Sequence, residues 1–214
     1  MMTMTRQIST TVKTIVTAST LSLMLLGCAT APELDVAAAP AGAYKLDPTH
    51  ASVTWSLSHA GLSQYTARFN TISGDLDFDP AAPENSRLSV RIDPASVSTG
   101  LPSFDEELST DGKYFDTDTH KDILFVSTQS VKTGQNTGRV TGNLTLKGVT
   151  KPVTLDVTYN GAGKSFGNPG KTLGFSATGQ VLRSDFGIAS LLTNFGIGDE
   201  VTLRIEAEFN EAQP

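Results

Sequence analysis

The chain is poor in the residues that do chemistry. Among 214 residues there is one cysteine, Cys28, and there are three histidines, His50, His59 and His120. A single thiol permits no internal disulfide, so the folded part must be held by its own core. No HExxH, CxxC, GxSxG or phosphate-loop pattern occurs, which removes the common signatures of zinc, thiol, serine-hydrolase and nucleotide chemistry. His50 and His59 are nine positions apart. Odd spacing puts them on opposite faces of a regular strand and counts against a shared metal site. Basic residues are also scarce, with 16 Lys and Arg against 22 Asp and Glu and a formal charge of −6. Setting aside Arg6 and Lys13 leaves 14 basic against 22 acidic residues, or −8, for the rest of the chain. Nucleic-acid binding needs a basic stripe, so that class is excluded. Long apolar runs are missing as well. The stretch from Thr14 to Leu26 falls short of the ~20 residues of a membrane span.

That stretch follows two positive charges and ends at Leu25-Leu26-Gly27-Cys28, the order of a secretory signal. The four residues resemble the lipobox of bacterial lipoproteins, in which the Cys is acylated and becomes the first mature residue. The expectation is a lipoprotein signal peptide over 1–27 and a membrane anchor at Cys28. A plain secretory signal, or a Cys buried in an N-terminal helix, is the alternative. Ala29 follows the Cys where an enteric inner-membrane lipoprotein carries Asp, which leans the location towards the outer membrane. Residues 28–43 are Ala- and Pro-rich without alternation and read as a flexible tether.

From Tyr44 onward the pattern is β. Val140, Gly142, Leu144 and Leu146 alternate with polar residues, and Val153, Leu155, Val157 and Tyr159 resume the alternation after Gly148-Val149-Thr150-Lys151-Pro152. Period-two alternation means one buried and one wet face, and the short connection makes an antiparallel hairpin. Similar runs cover Val53 to Leu57, Tyr65 to Phe78 with a bulge or bend at Gly74, Leu88 to Ile92, Ile123 to Val131, Leu173 to Val181 and Val201 to Phe209. Asp75, Asp77 and Asp79 are the solvated face of their strand. Residues 95–121 break the alternation. Ser103 followed by Glu106 looks like a helix cap, so one or two short helices are expected there, across one end of the sheet. About eight antiparallel strands make a sandwich or barrel, and the last can close on the first. Ala177, Gly179 and Gly142 on the apolar face leave room inside, or simply accommodate Trp55 and the phenylalanines.

Four segments resemble the YceI family of bacterial periplasmic proteins. They are Tyr44-Lys45-Leu46-Asp47-Pro48-Thr49-His50, His59-Ala60-Gly61 with Phe69 and Gly74, the hairpin above, and Arg183-Ser184-Asp185-Phe186-Gly187-Ile188. The resemblance spans Tyr44 to about Phe209. It implies an all-β, lipocalin-like barrel over 44–212 that binds a long apolar lipid, such as a polyisoprenoid, an isoprenoid quinone or a fatty amide. With the catalytic and metal-binding motifs missing, no enzymatic activity and no cofactor or metal beyond the bound lipid are expected. A membrane b-type cytochrome is the partner the resemblance suggests for a quinone cargo. Thr119-His120-Lys121-Asp122 departs from the family, whose members carry a Pro before this strand.

On strand parity, the candidate ligand contacts are Trp55, Leu57 and Phe69 from the first strands, Phe125, Leu144 and Leu155 from the middle, and Phe175, Ala177 and Val181 near the end. His59, Arg183 and Asp185 are candidates for a polar head group. For each of them a structural role is the competing reading: a strand-end His, and an Arg183–Asp185 ion pair holding a turn. His50 reads as a turn residue bonding backbone. The function that follows is a periplasmic lipid carrier or buffer. The alternative is a filled barrel that docks a respiratory or stress-response membrane partner.

Overall fold

The computed structural model describes residues 31–165 and 168–212. The expected signal peptide and Cys28 lie outside the described residues. Eleven strand segments form one sheet. They are β1 (Gly42–Leu46), β2 (Ser52–His59), β3 (Ser63–Phe69), β4 (Ile72–Phe78), β5 (Arg87–Ile92), β6 (Val97–Ser98), β7 (Ile123–Lys132), β8 (Thr137–Leu146), β9 (Val149–Gly163), β10 (Thr172–Leu182) and β11 (Glu200–Glu211).

The segments reduce to an eight-stranded closed antiparallel barrel. Both β1 and β2 pair with β11, through residues 209–211 and 202–206, so they are one bent strand. β3 and β4 are likewise one bent strand, paired with β2 and β1. β5 and β6 follow on β4 and β3. β7 to β11 complete an up-and-down circuit. Closure of β11 on β1 leaves no long edge to template aggregation.

One end of the barrel carries the hairpin connections β4–β5, β7–β8 and β9–β10. The other carries the β2–β3 and β8–β9 turns, the connection 183–199, and α1 (Pro102–Thr110). Helix α1 starts two residues earlier than the Ser103 cap implies. Pro102 takes the first helical position with Leu101 as its cap residue, which suits a ring with fixed φ and no N–H to leave unpaired. Asp105 holds the start by accepting from Thr99 N at 2.7 Å and Thr99 Oγ1 at 2.6 Å. Phe104 and Leu108 turn inward, Phe104 against Tyr65 with ring centroids 5.9 Å apart.

Two local expectations need correction. Gly74 is not a bend: β4 runs in register through it, and the break falls at Asn70-Thr71, whose amides bond Ser96 Oγ. The described part of the expected tether is docked on the barrel. Glu33 exchanges backbone hydrogen bonds of 2.7 and 2.8 Å with Ala162, Val36–Ala38 form a 3-10 turn, Ala39 is buried, and Gly42 and Ala43 already belong to β1. Small residues let the backbone lie close to Gly161, where an added Cβ would sit 2.8 Å from Pro32.

The loop holding the family departure is well tied down. The His120 amide donates to Asp116 O at 2.8 Å, the His120 ring covers Gly148, and Asp122 pairs with Arg91 at 2.5 Å.

Candidate functional site

The barrel interior contains a cavity of about 740 Å³. This lies in the usual range of small-molecule sites. An eight-stranded barrel has either a filled interior or room for one ligand, and here the second case holds. The wall is overwhelmingly apolar because every strand turns its alternate large residue inward, as the sequence parity requires. Two aromatic groups stand along the tube, whose lining continues at the hairpin end to Arg87, Lys132 and Arg139. At the hairpin end Phe175 meets Phe78, Tyr159 and Phe209 with ring centroids 5.6–6.0 Å apart. At the helix end Tyr65, Phe104 and Tyr114 pack edge to face. Burial pushes the Tyr159 hydroxyl up to about 12, with the Glu33 carboxylate adding to the effect.

The sequence-designated residues are placed as follows. Trp55, Leu57 and Phe69 line the tube from β2 and β3. Phe125, Leu144 and Leu155 line it from β7, β8 and β9, and Phe175, Ala177 and Val181 from β10. The Trp55 indole Nε1 is buried without a hydrogen-bond partner. Of the three small inward residues, only Ala177 borders the void. A Cβ on Gly142 would lie 2.4 Å from Phe125 Cζ, and one on Gly179 would lie 2.6 Å from Leu155 Cδ2. Both glycines are covered by a neighbouring side chain rather than by empty space.

The polar candidates separate. His59 ends β2 at the mouth, exposed, and lines the cavity beside Tyr65. Arg183 and Asp185 do not pair. Residues 183–186 form a 3-10 turn rather than a strand, so strand parity does not apply. Asp185 is exposed and away from the tube. Arg183 is 5% exposed and spends all five N–H groups. Nε donates to Gly198 O, Nη1 to Ile188 O and Ala189 O, and Nη2 to Thr193 Oγ1 and Ile197 O. It clamps the connection 183–199 that forms one lip of the tube.

His50 is a turn residue whose amide donates to Asp47 O at 3.2 Å, and its ring adds a bond to the carboxylate, Nδ1 lying 3.0 Å from Asp47 Oδ2. Asp47 also accepts from the Thr49 amide and hydroxyl and from Asn210 Nδ2. Thr49 first, then His50, hold the Asp47 carboxyl well below its ordinary value, and the Asp47 bond raises that of His50. Glu208 brings a third potential ligand atom within 4.8 Å of these two. The group lies off the cavity wall, and the Asp47 oxygens are already committed to these donors.

Sequence reasoning missed the N-terminal strap, whose Val36 reaches the cavity, and the lip residues Leu192, Phe195 and Ile197.

A closed eight-stranded antiparallel barrel around an apolar tube defines a lipocalin-like architecture. Residues 44–209 match the model of the YceI-like domain, and the chain belongs to that family. A UPF0312 protein of Pseudomonas putida (strain F1) is 38% identical over 157 residues, covering 72% of this chain and 81% of that protein. The crystal structure of a YCEI protein from Campylobacter jejuni aligns with a TM-score of 0.65 at 33% identity, over 73% of this chain and 90% of that one. A polyisoprenoid binding domain from Saccharophagus degradans shares the fold, with a TM-score of 0.56 at 19% identity over 79% of this chain and 98% of that domain.

Proposed function

We propose that the barrel binds one long apolar lipid, a polyisoprenoid, an isoprenoid quinone or a fatty amide, and works as a periplasmic carrier or buffer. The observation that carries the reading is the continuous apolar cavity of about 740 Å³. The polyisoprenoid binding domain of the same fold supports it. Burial of a chain is worth about 0.8 kcal/mol per CH₂ relative to water, so a ten-carbon stretch is held by several kcal/mol. Relative to a bilayer the gain is near zero, which permits both loading and release. The open interior weighs against the filled-barrel alternative.

Trp55 is the only tryptophan and lies in the cavity wall, so its emission reports occupancy. Titration with a brominated polyprenol is expected to quench it saturably at one equivalent. Quenching that never saturates, or none, refutes the reading.

Lipid anchoring through Cys28 and an outer-membrane location belong to the same proposal, as does a membrane b-type cytochrome as the partner served by a quinone cargo. Metabolic labelling with a palmitate analogue is expected to mark the wild type and not Cys28→Ser. Equal labelling of the two removes the anchor.

A further inference from the structure

The two most exposed large apolar side chains among the described residues are Leu62, at 88%, and Phe195, at 76%. They are far apart in sequence but sit on one structure. The Ala60 amide donates to Gly196 O at 2.8 Å, the Gly198 amide donates to Ser58 O at 2.8 Å, and His59 bridges Ile197. Gly196 has φ +79°, and a Cβ there would lie 3.2 Å from the Ala60 Cα. The β2–β3 turn and the 190–197 segment are thus stitched into a single lip, with Arg183 clamping one side from below.

Two features identify what this lip meets. Beyond His59 at its inner edge it carries no titratable charge: residues 60–67 and 188–198 hold neither Asp, Glu, Lys, Arg nor His, in a chain that is 18% charged. It is also continuous with the tube, because Leu192, Phe195 and Ile197 line the cavity from the same segment. An apolar path therefore runs from the exposed Phe195 ring into the barrel.

We propose that this lip inserts into a lipid surface and is the gate through which cargo enters and leaves. The proposal rests on the lipid-binding reading above. Apolar tips on a short rigid lip partition into the boundary between head groups and acyl chains. The missing charges matter because a charge carried into that layer opposes insertion. Transfer then proceeds by contact, and the acyl chain never crosses water.

The test uses the full chain carrying Trp55→Phe, so that only an introduced indole reports, and vesicles of phosphatidylethanolamine and phosphatidylglycerol with brominated acyl chains. Leu62→Trp is expected to show a blue shift and strong quenching. Thr133→Trp, at the hairpin end, is the control and is expected to stay unquenched. Leu62 does not line the cavity, so Leu62→Asp is expected to leave polyprenol binding in detergent unchanged. One leucine lost from an apolar contact corresponds to roughly tenfold or more in partition, and vesicle-to-vesicle transfer by Leu62→Asp is expected to slow by that factor. Equal quenching at positions 62 and 133 overturns the proposal. So does a transfer rate independent of vesicle concentration. A dimer that Leu62→Asp dissociates would assign the patch to a second copy and overturn it too. Failure of the cargo reading looks different: no polyprenol binding in detergent, with the Leu62→Trp quenching still present or absent on its own.

Discussion

The ring of Phe125 lies over the backbone of Gly142, so close that a Cβ there would fall 2.4 Å from Cζ and 2.7 Å from Cε2. The residues are diagonal neighbours on β7 and β8, in a wall where Phe125 pairs with Leu144 and Ser127 with Gly142. The glycine is the seat of the phenylalanine, and the pair sets the width of the tube at that level. Gly142→Ala is therefore expected to destabilise the protein by about 1–3 kcal/mol, as overpacking does, measured by urea unfolding. A neutral result would mean that the ring is free to move.

Ala177 behaves differently because it borders the void. Ala177→Leu is expected to cost less than about 1 kcal/mol in stability, the cost being the overpacking that open space relieves. Binding of polyprenol should fall, since the leucine takes the ligand's volume. A large melting loss together with unchanged binding would contradict a ligand-sized cavity.

Arg183 meets five acceptors, four of them backbone carbonyls. Lysine keeps the charge but has three donors. Arg183→Lys leaves at least two acceptors unpaired at about 1–3 kcal/mol each, so a loss of several kcal/mol is expected by thermal unfolding. Hydrogen exchange should rise first in 187–198, the segment it clamps. Uniform exchange across the barrel would contradict that local role.

Asp47 and His50 make stability depend on pH. His50 is raised from 6.5, so its contribution is full below that value and is lost as pH climbs through the folded value. Asp47 is lowered from 3.8, so its contribution is present above that value and is lost as pH falls through the folded one. The coupling between Asp47→Asn and His50→Gln in a double-mutant cycle is expected to be largest in the window between 3.8 and 6.5. It should shrink at pH values where His50 is neutral. A coupling independent of pH would mean that the bond involves only the neutral ring.

Most of the barrel was legible because a period of two leaves each strand only two ways to face. Val53, Phe125, Leu155 and Phe175 point inward as their parity requires. The failures have physical causes. Residues 31–43 read as a tether because Ala, Gly and Pro carry no alternation, while the Glu33–Ala162 bridge that docks them spans more than a hundred residues and has no local signature. Arg183-Ser184-Asp185 mimics strand parity, but residues 183–186 form a 3-10 turn that parity cannot describe, ended by Gly187 in the left-handed region (φ +66°). Gly142 and Gly179 look like vacated space, and only packing shows that Phe125 and Leu155 occupy it. The lip had a signal that went unused: an uncharged, partly apolar segment from 188 to 198 in a turn region of an acidic chain.

The central claim is that the tube holds one apolar chain. Native mass spectrometry of the protein purified without added lipid, followed by organic extraction, tests it most directly. A single adduct of discrete mass, recovered in the extract as an isoprenoid or long acyl compound and lost in Ala177→Leu, is the expected result. A protein that flies only at its own mass, and takes up no polyprenol when one is supplied, would contradict it.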